Sequence, residues 1–274
     1  MHVTNSASPP NSLTNLMCLI LFSWQQNPNH PLILIANRDE RYQRPSQRLH
    51  QWQSTPGMVA GRDLVAGGTW LGVHKSGRFA ALTNVRSPDI AIPNTLSRGE
   101  LIPGFFNSTL NLDQWCAQLQ ARAHQYAGFN LLFGDISSAR LVCYNNQSNR
   151  LTELTAGLYG LSNADLDDDW PKVKRGKQLL SAALSPTATP KIGSLWTILG
   201  DDIEPLSDQL PDTGVGIAVE RLLAPITIRS EQYGTCSSTV LISNHTETVC
   251  VYEQQRRPDQ ASETINITLT LTKD

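Results

Sequence analysis

The chain of 274 residues contains no Cys-x-x-Cys pair and no closely spaced histidines. Its cysteines are odd in number and far apart, which argues against a disulfide framework and a structural zinc site and suits a reducing compartment. The six histidines are scattered, so the sequence shows no metal-ligand spacing, although one or two of them could still hold a cofactor. We therefore expect no metal site. The five cysteines are Cys18, Cys116, Cys143, Cys236 and Cys250.

The chain also lacks a strong excess of charge of either sign. It has 22 lysines and arginines against 24 aspartates and glutamates, for a formal net charge of -2. This balance gives no electrostatic reason to expect nucleic acid or an anionic membrane surface as a partner. A small, roughly neutral or apolar partner fits it better.

No segment has the composition of a targeting signal or of a membrane span. Residues 1–16 are polar and lack both a basic n-region and an apolar h-region. No later segment approaches the ~20 apolar residues that a spanning helix requires. We expect a disordered N-terminal extension over residues 1–16, then one domain over residues 17–274, in the cytoplasm.

Two apolar runs near the N-terminus predict a β-hairpin. Residues 18–24 and 31–38 are joined by the polar turn QQNPNHP. This pairing would place Cys18 and residues 37–39 at the same end of adjacent antiparallel strands. A second hairpin is predicted over residues 61–86, with its turn at Gly77.

The first hairpin ends in an unusual polar stretch. The apolar run 32–36 is followed directly by Asn37, Arg38, Asp39, Glu40 and Arg41, and no glycine or proline marks the exit. One interpretation is a solvated loop, and the other is a binding or catalytic site at the end of a strand. The stretch alone leaves both open.

The remaining pattern predicts helices between two groups of strands. Helical spacing is present over residues 96–106 and 112–127, and another helix begins near Pro171, where a basic cluster containing Lys172 indicates a solvated helix face. Strands are predicted over residues 128–135, 139–146, 150–163, 238–244, 247–255 and 265–272. Hairpins, helices and further hairpins favour an α+β sandwich, in which two sheets pack between helical layers.

Cys18 is a candidate nucleophile. If translation starts at Met17, or if the extension is removed, its thiol lies beside a free α-amine, whose ordinary pKa of ~7.7 to 8.0 suits a general base. The alternative is a buried core cysteine. Asp39 could orient the amine, and Asn84 and Asn163 are amides at strand ends that could stabilise an oxyanion.

Eight motifs, in this order, resemble the NRDE family, also called the transport and Golgi organisation 2 family. They extend from residue 17 to residue 243 and comprise MCLILF, ANRDERY followed by RP, AGRDLVAGGTWLGV, ALTNVR, SRGELI, GFNLL, GLSNADLDDDWPKV and YGTCSSTVLI. The resemblance implies a four-layer αββα fold like that of N-terminal-nucleophile hydrolases. It also implies that residues 37–40 line a pocket together with Cys18.

The cysteine branch of those hydrolases implies roles for four residues. Cys18 matches the nucleophile, Asp39 the carboxylate near its amine, and Asn163 the oxyanion asparagine, while Asn84 lies in the region that lends a backbone donor. Three positions depart from that pattern. Cys18 is internal in this chain, and the expected arginines are replaced by Ala36 and Cys236.

The family resemblance also implies a ligand. It points to intracellular haem handling, with the protein as a haem carrier, and to acyl-CoA and lipid metabolism, with a cysteine amidohydrolase or thioesterase as the alternative. Either ligand would suit an apolar cleft with Arg38, Arg62 or Arg86 at its mouth. Cys18 and His74 are the candidate iron ligands, and the protein that accepts the haem is unknown.

Overall fold

Two antiparallel sheets pack face to face and carry helices on their outer surfaces. The computed structural model describes residues 18–86, 95–245, 247–258 and 262–272. The predicted disordered extension over residues 1–16, together with Met17, lies outside the described residues. The order of layers is helix, sheet, sheet, helix, as the sequence predicts.

The first sheet has six strands. Its spatial order is β10, β1, β2, β11, β12, β13. These strands are β1 (Cys18–Trp24), β2 (Leu32–Arg41), β10 (Gly157–Leu161), β11 (Tyr233–Ser243), β12 (Thr248–Gln255) and β13 (Thr264–Thr270).

The second sheet has seven strands, which follow one another in chain order. They are β3 (Ser46–Gln51), β4 (Met58–Asp63), β5 (Leu71–His74), β6 (Arg78–Asn84), β7 (Phe129–Asp135), β8 (Arg140–Asn145) and β9 (Arg150–Glu153). Side chains alternate between the two faces of a strand, so each sheet contributes one apolar face to the core between the sheets. Phe22, Leu34 and Phe79 are fully buried there.

Five α-helices in the described residues cover the outer faces. They are α1 (Leu101–Asn107), α2 (Leu112–Arg122), α3 (Pro171–Ala183), α4 (Ile192–Leu199) and α5 (Ile217–Leu223). The first two pack on the second sheet, and α3 and α4 pack on the first. Asn111 and Gln114 form a capping box that starts α2, and Pro171 starts α3. No helix in this described part of the chain is long and apolar enough to cross a membrane.

The first hairpin is confirmed, since Cys18 lies opposite Arg38 across β1 and β2. The solvated-loop interpretation is wrong, because β2 continues to Arg41 and residues 37–40 are buried within the sheet. The second hairpin is confirmed at its turn, since β5 and β6 pair on either side of Gly77, but its first arm is wrong in extent, because residues 58–63 form the separate strand β4. The solvated-face interpretation is wrong for Lys172, whose exposed fraction is 2 %.

Candidate functional site

The NRDE segment divides its side chains between the two faces of β2. The Asn37 amide donates to the carbonyls of Leu199 (2.9 Å) and Ile226 (2.8 Å), on the helix-covered face. Arg38 points the other way, and its Nη2 lies 3.0 Å from Oδ2 of Asp63 in the second sheet. The alternation follows from the strand conformation, and it gives neighbouring residues different environments.

A cavity of about 290 Å³ lies where the two sheets meet at the end of β1 and β2. Its walls are the start of β1, the end of β2, the β4–β5 turn and residues 95–99. The lining residues are Cys18, Arg38, Asp39, Glu40, Arg44, Asp63, Ala66, Gly68, Thr69, Trp70, Leu82, Asn84, Thr95, Leu96, Ser97, Arg98, Gly99 and Ala127.

Cys18 lies in this cavity as a neutral thiol. Burial raises the pKa of its thiol to about 12, and the negative charge of Asp39 contributes to that rise. A hydrogen bond from the Asp39 backbone and the charge of Arg38 oppose the shift without cancelling it. A thiol in this state is a poor nucleophile at neutral pH, because the thiolate is the reactive form.

Asp39 is buried with one carboxylate oxygen unpaired. Thr235 Oγ1 donates to its Oδ1 at 2.6 Å, whereas Oδ2 has no hydrogen-bond partner among the described residues. Burial raises the pKa of the Asp39 carboxyl to about 6, opposed first by the positive charge of Lys172. Burial in turn lowers the pKa of Lys172 to about 8, and Asp39 opposes that shift. The two buried groups therefore influence each other electrostatically beneath α3, while the Lys172 ammonium donates to the Leu223 carbonyl at 3.3 Å.

A second charge cluster lies on the cavity side of β2. Asp63 accepts from Arg38 and, at 2.6 Å and 3.1 Å, from Arg44. Glu40 lies 3.6 Å from Arg38 and 3.4 Å from Arg44. The Arg38 guanidinium carbon is 4.4 Å from the centroid of the Trp70 ring, while Arg38 Nη1 is buried and has no hydrogen bond to any residue that the structure describes.

Arg98 is, with Arg44 and Asp63, one of the charged lining residues that the sequence did not indicate. Its Nη1 donates to the Gly128 carbonyl at 2.8 Å, and no carboxylate of the described ranges forms an ion pair with it. Burial lowers the pKa of its guanidinium. Arg98 belongs to the SRGELI motif of the family. The position of Arg98 beside Cys18 depends on the contact between Gly68 and Gly99, two residues that are far apart in the sequence.

The two candidate oxyanion residues lie near Cys18 but differ in orientation. Asn84 lines the cavity. Asn163 donates its side-chain amide to the Asn84 carbonyl at 2.8 Å. Ser162 connects Asn163 to Cys18, because Ser162 Oγ donates to the Cys18 carbonyl at 3.0 Å and lies 3.1 Å from Asn163 Oδ1. The Asn163 amide is thus directed at the protein backbone instead of the cavity.

The structure places four of the predicted ligand-binding residues outside the cavity. Arg62 bonds to the Gly67 carbonyl and covers the Trp52 ring. Arg86 is buried in an ion pair with Glu220 at 2.7 Å. His74 bonds to the Pro56 carbonyl and to Ser76 at the far end of β5. Asn37, as described above, faces the helices.

The chemistry of the lining residues limits what the cavity can hold. Within the described segments, no group of three or more metal-ligating side chains is present, and no histidine lines the cavity. The Cys18 sulfur is the lining atom suited to iron. A larger cavity of about 480 Å³ lies outside α3, but its Lys174 and Arg175 are paired with Asp169 and Asp201. The Cys18 cavity is therefore the candidate site.

The architecture defines the class of protein as one with the αββα fold of N-terminal-nucleophile hydrolases. The structure is similar to that of a mutant of conjugated bile acid hydrolase from Clostridium perfringens, with a TM-score of 0.51. The two share 10 % identity, and the match covers 91 % of this chain and 92 % of that one. At this identity the similarity establishes the fold alone.

The sequence comparison defines the family. The transport and Golgi organisation 2 family model matches residues 17–258, and the chain belongs to this family. It is 34 % identical over 244 residues to the transport and Golgi organization 2 homolog of Mus musculus and 35 % identical over 244 residues to that of Homo sapiens. Each match covers 82 % of this chain and 88 % of the relative. The resemblance read from the motifs is confirmed.

Proposed function

We propose that the protein binds a small amphipathic anionic ligand in the Cys18 cavity and carries it, with haem as its cargo. The observation that supports this proposal is Arg98, a half-buried guanidinium in the cavity wall that forms no ion pair with a carboxylate of the described ranges. Partial burial without a counter-charge is unfavourable for a cation, so an anionic ligand group would bind there favourably. Trp70, Leu82 and Leu96 supply apolar surface in the same cavity.

The size of the cavity fits a carrier that must release its cargo. A volume of about 290 Å³ is at the lower limit of the ~300–1,000 Å³ typical of small-molecule sites, so a large ligand would be only partly enclosed. Micromolar affinity corresponds to about -8.2 kcal/mol. Burial of a few hundred Å² at roughly 25 cal/mol/Å² could supply most of that before association costs. The five free cysteines support a cytoplasmic location.

A titration with haem tests the cargo. We expect a shifted and saturable Soret band for the wild type. Arg98→Ala should weaken binding by about ten- to a hundredfold, because it removes a charge-assisted contact of ~1.5–3 kcal/mol. Arg122→Ala is the matched control, since Arg122 is exposed on α2. His74→Ala should also leave the affinity unchanged. No saturable binding below ~100 μM, about -5.5 kcal/mol, would rule out haem.

A second candidate function is a cysteine-dependent amidohydrolase or thioesterase acting on an acyl or acyl-CoA substrate. The unpaired Oδ2 of Asp39 favours it, because an α-amine on Cys18 would give that oxygen a cationic partner. The internal position of Cys18, its neutral thiol and the orientation of Asn163 weigh against it in this chain. The test is the intact mass of protein from its native host. A chain that begins at Cys18, with turnover abolished by Cys18→Ser, would establish the hydrolase.

A further inference from the structure

Two walls of the Cys18 cavity carry large apolar side chains that are exposed to solvent. In the β4–β5 turn, the exposed fractions are 54 % for Leu64 and 63 % for Val65. In the opposite wall, Leu96 is 40 % exposed. Exposed apolar side chains that cluster at one place indicate an interaction surface more strongly than the same residues scattered singly.

These side chains border one opening. Ala66, next to Val65, and Leu96 both line the cavity. The two walls are joined where the Thr69 backbone N–H donates to the Gly99 carbonyl at 3.0 Å. Leu64 and Val65 therefore lie in the turn that brings Ala66 to the cavity, and Leu96 lines the cavity itself. We call Leu64, Val65 and Leu96 the apolar rim.

Among the described residues, the charges exposed beside the β4–β5 turn are mainly positive. Arg62 donates to the Gly67 carbonyl at 3.2 Å and so lies against the turn, and Arg44, whose exposed fraction is 31 %, lines the entrance. The neighbouring acids point inward, where Asp63 and Glu40 have exposed fractions of 13 % and 2 % and pair with arginine. The exposed Glu100 bonds to Tyr126 on the side toward α2.

A second exposed apolar pair has the opposite electrostatic setting. Ile203 and Leu206 are 55 % and 68 % exposed. Their neighbours in the sequence are Asp202, Glu204 and Asp208. An anionic surface would repel this pair and attract the apolar rim, although the net charge of the whole chain is -2.

We propose that the apolar rim docks on an anionic lipid bilayer, with the cavity entrance facing the lipid. Leu64 and Val65 would enter the interface, and the arginines would contact the anionic headgroups. The inference rests on the proposed function in one respect. An amphipathic ligand partitions into bilayers, and docking would let it pass into the cavity without crossing water.

Sedimentation with vesicles tests the docking. The vesicles are phosphatidylcholine alone or phosphatidylcholine mixed with phosphatidylserine. We expect the wild type to sediment with the mixed vesicles and to be released by salt. Leu64→Ser/Val65→Ser should lower the partition coefficient about tenfold, since two half-exposed aliphatic side chains lose their burial in lipid. Ile203→Ser/Leu206→Ser, a pair of similar exposure, should behave as the wild type.

Either of two results would overturn the docking. One is the absence of sedimentation with phosphatidylserine vesicles, and the other is an equal loss in both double variants. Haem titration of Leu64→Ser/Val65→Ser without vesicles separates this test from the proposed function. An unchanged haem affinity together with lost sedimentation supports docking, whereas saturable haem binding without any sedimentation of the wild type rejects docking alone.

Discussion

Gly68 and Gly99 touch backbone to backbone, so closely that a Cβ atom on Gly68 would lie 2.7 Å from the Gly99 Cα and would overlap its carbonyl. One residue belongs to the β4–β5 turn and the other to the segment that carries Arg98. The contact therefore sets the distance between Arg98 and the cluster formed by Arg38 and Asp63.

Gly68→Ala should push these two segments apart. We expect a loss of about 1–3 kcal/mol in the free energy of unfolding, typical of overpacking, and weaker haem binding because Arg98 moves. Gly104→Ala is the control, since nothing lies within 4 Å of a Cβ atom there. Because Gly104 lies in the middle of α1, the Gly104→Ala substitution should raise the free energy of unfolding by up to ~1 kcal/mol. Urea denaturation measures the unfolding free energy of both variants, and haem titration measures their affinity. Equal values for Gly68→Ala and Gly104→Ala would contradict the role given to the Gly68–Gly99 contact.

The buried Asp39 should give the protein a specific dependence on pH. Because burial raises its pKa from 3.8 to about 6, the folded state holds a proton between these values that the unfolded state has released. Folding stability due to Asp39 therefore falls as pH rises through this window. The unfolding free energy of Asp39→Asn minus that of the wild type should therefore increase as pH rises from 3.8 to about 6, by up to ~1.4 kcal/mol per pH unit.

Urea denaturation at several pH values from about 4 to 7 measures this dependence. Asp113→Asn is a control of opposite sign. A hydrogen bond from Arg140 lowers the pKa of Asp113, so the stability from Asp113 is lost as pH falls. If the difference between Asp39→Asn and the wild type stays constant with pH, Asp39 does not titrate as described.

The reactivity of Cys18 should report the charge of Asp39. With a thiol pKa of about 12, alkylation of Cys18 by iodoacetamide should still accelerate at pH values above 9, the ordinary thiol pKa. Asp39→Asn should speed the reaction at any fixed pH, because it removes a negative charge that disfavours the thiolate. Mass spectrometry of the labelled peptides gives the rates. Cys143, whose pKa burial also raises to about 12, should not respond to Asp39→Asn, and a response at both sites would indicate general loosening.

The ion pair of Arg86 and Glu220 should be a structural element of the fold. The two side chains are 4 % and 3 % exposed and 2.7 Å apart, and the Arg86 guanidinium lies 4.9 Å from the centroid of the Trp170 ring. Glu220→Gln should cost about 3–5 kcal/mol, because a buried charge loses its counter-charge. Glu153→Gln, in an exposed pair with Arg140, should cost less than ~1 kcal/mol. Thermal or urea unfolding measures both losses of stability, and equal losses for Glu220→Gln and Glu153→Gln would argue against a structural role for the buried pair.

The first hairpin could be predicted because its information is local. Two apolar runs and a polar turn determine which strands pair, and the pairing places Cys18 opposite Arg38. The layer order followed from the alternation of strands and helices along the chain. These features depend on sequence neighbours, which a single sequence shows directly.

Lys172 and Arg98 could not be placed by the same reasoning. Four basic residues near the start of α3 indicate a solvated face, and only the i, i+4 spacing of Lys172, Gly176 and Leu180 shows that the first lies on the buried face. Arg98 reaches the cavity through contacts between segments that are distant in the chain. Arg62 was predicted at the cavity mouth in place of Asp63, because the sequence did not show which face of β4 points between the sheets.

Because side chains alternate between the two faces of β2, the order of the residues in the NRDE motif matters as much as their identity. Consider a chain in which Arg38 and Asp39 exchanged positions. Its charge, its composition and its strand pairing would be unchanged, yet the cation would lie beside Lys172 and the carboxylate beside Glu40 and Asp63. The group beneath α3 would then hold two cations, and the cluster on the cavity side of β2 would hold three carboxylates against the single cation of Arg44. A homologue with a permuted motif could keep the fold only by changing its partners on α3 and on the β4–β5 turn as well.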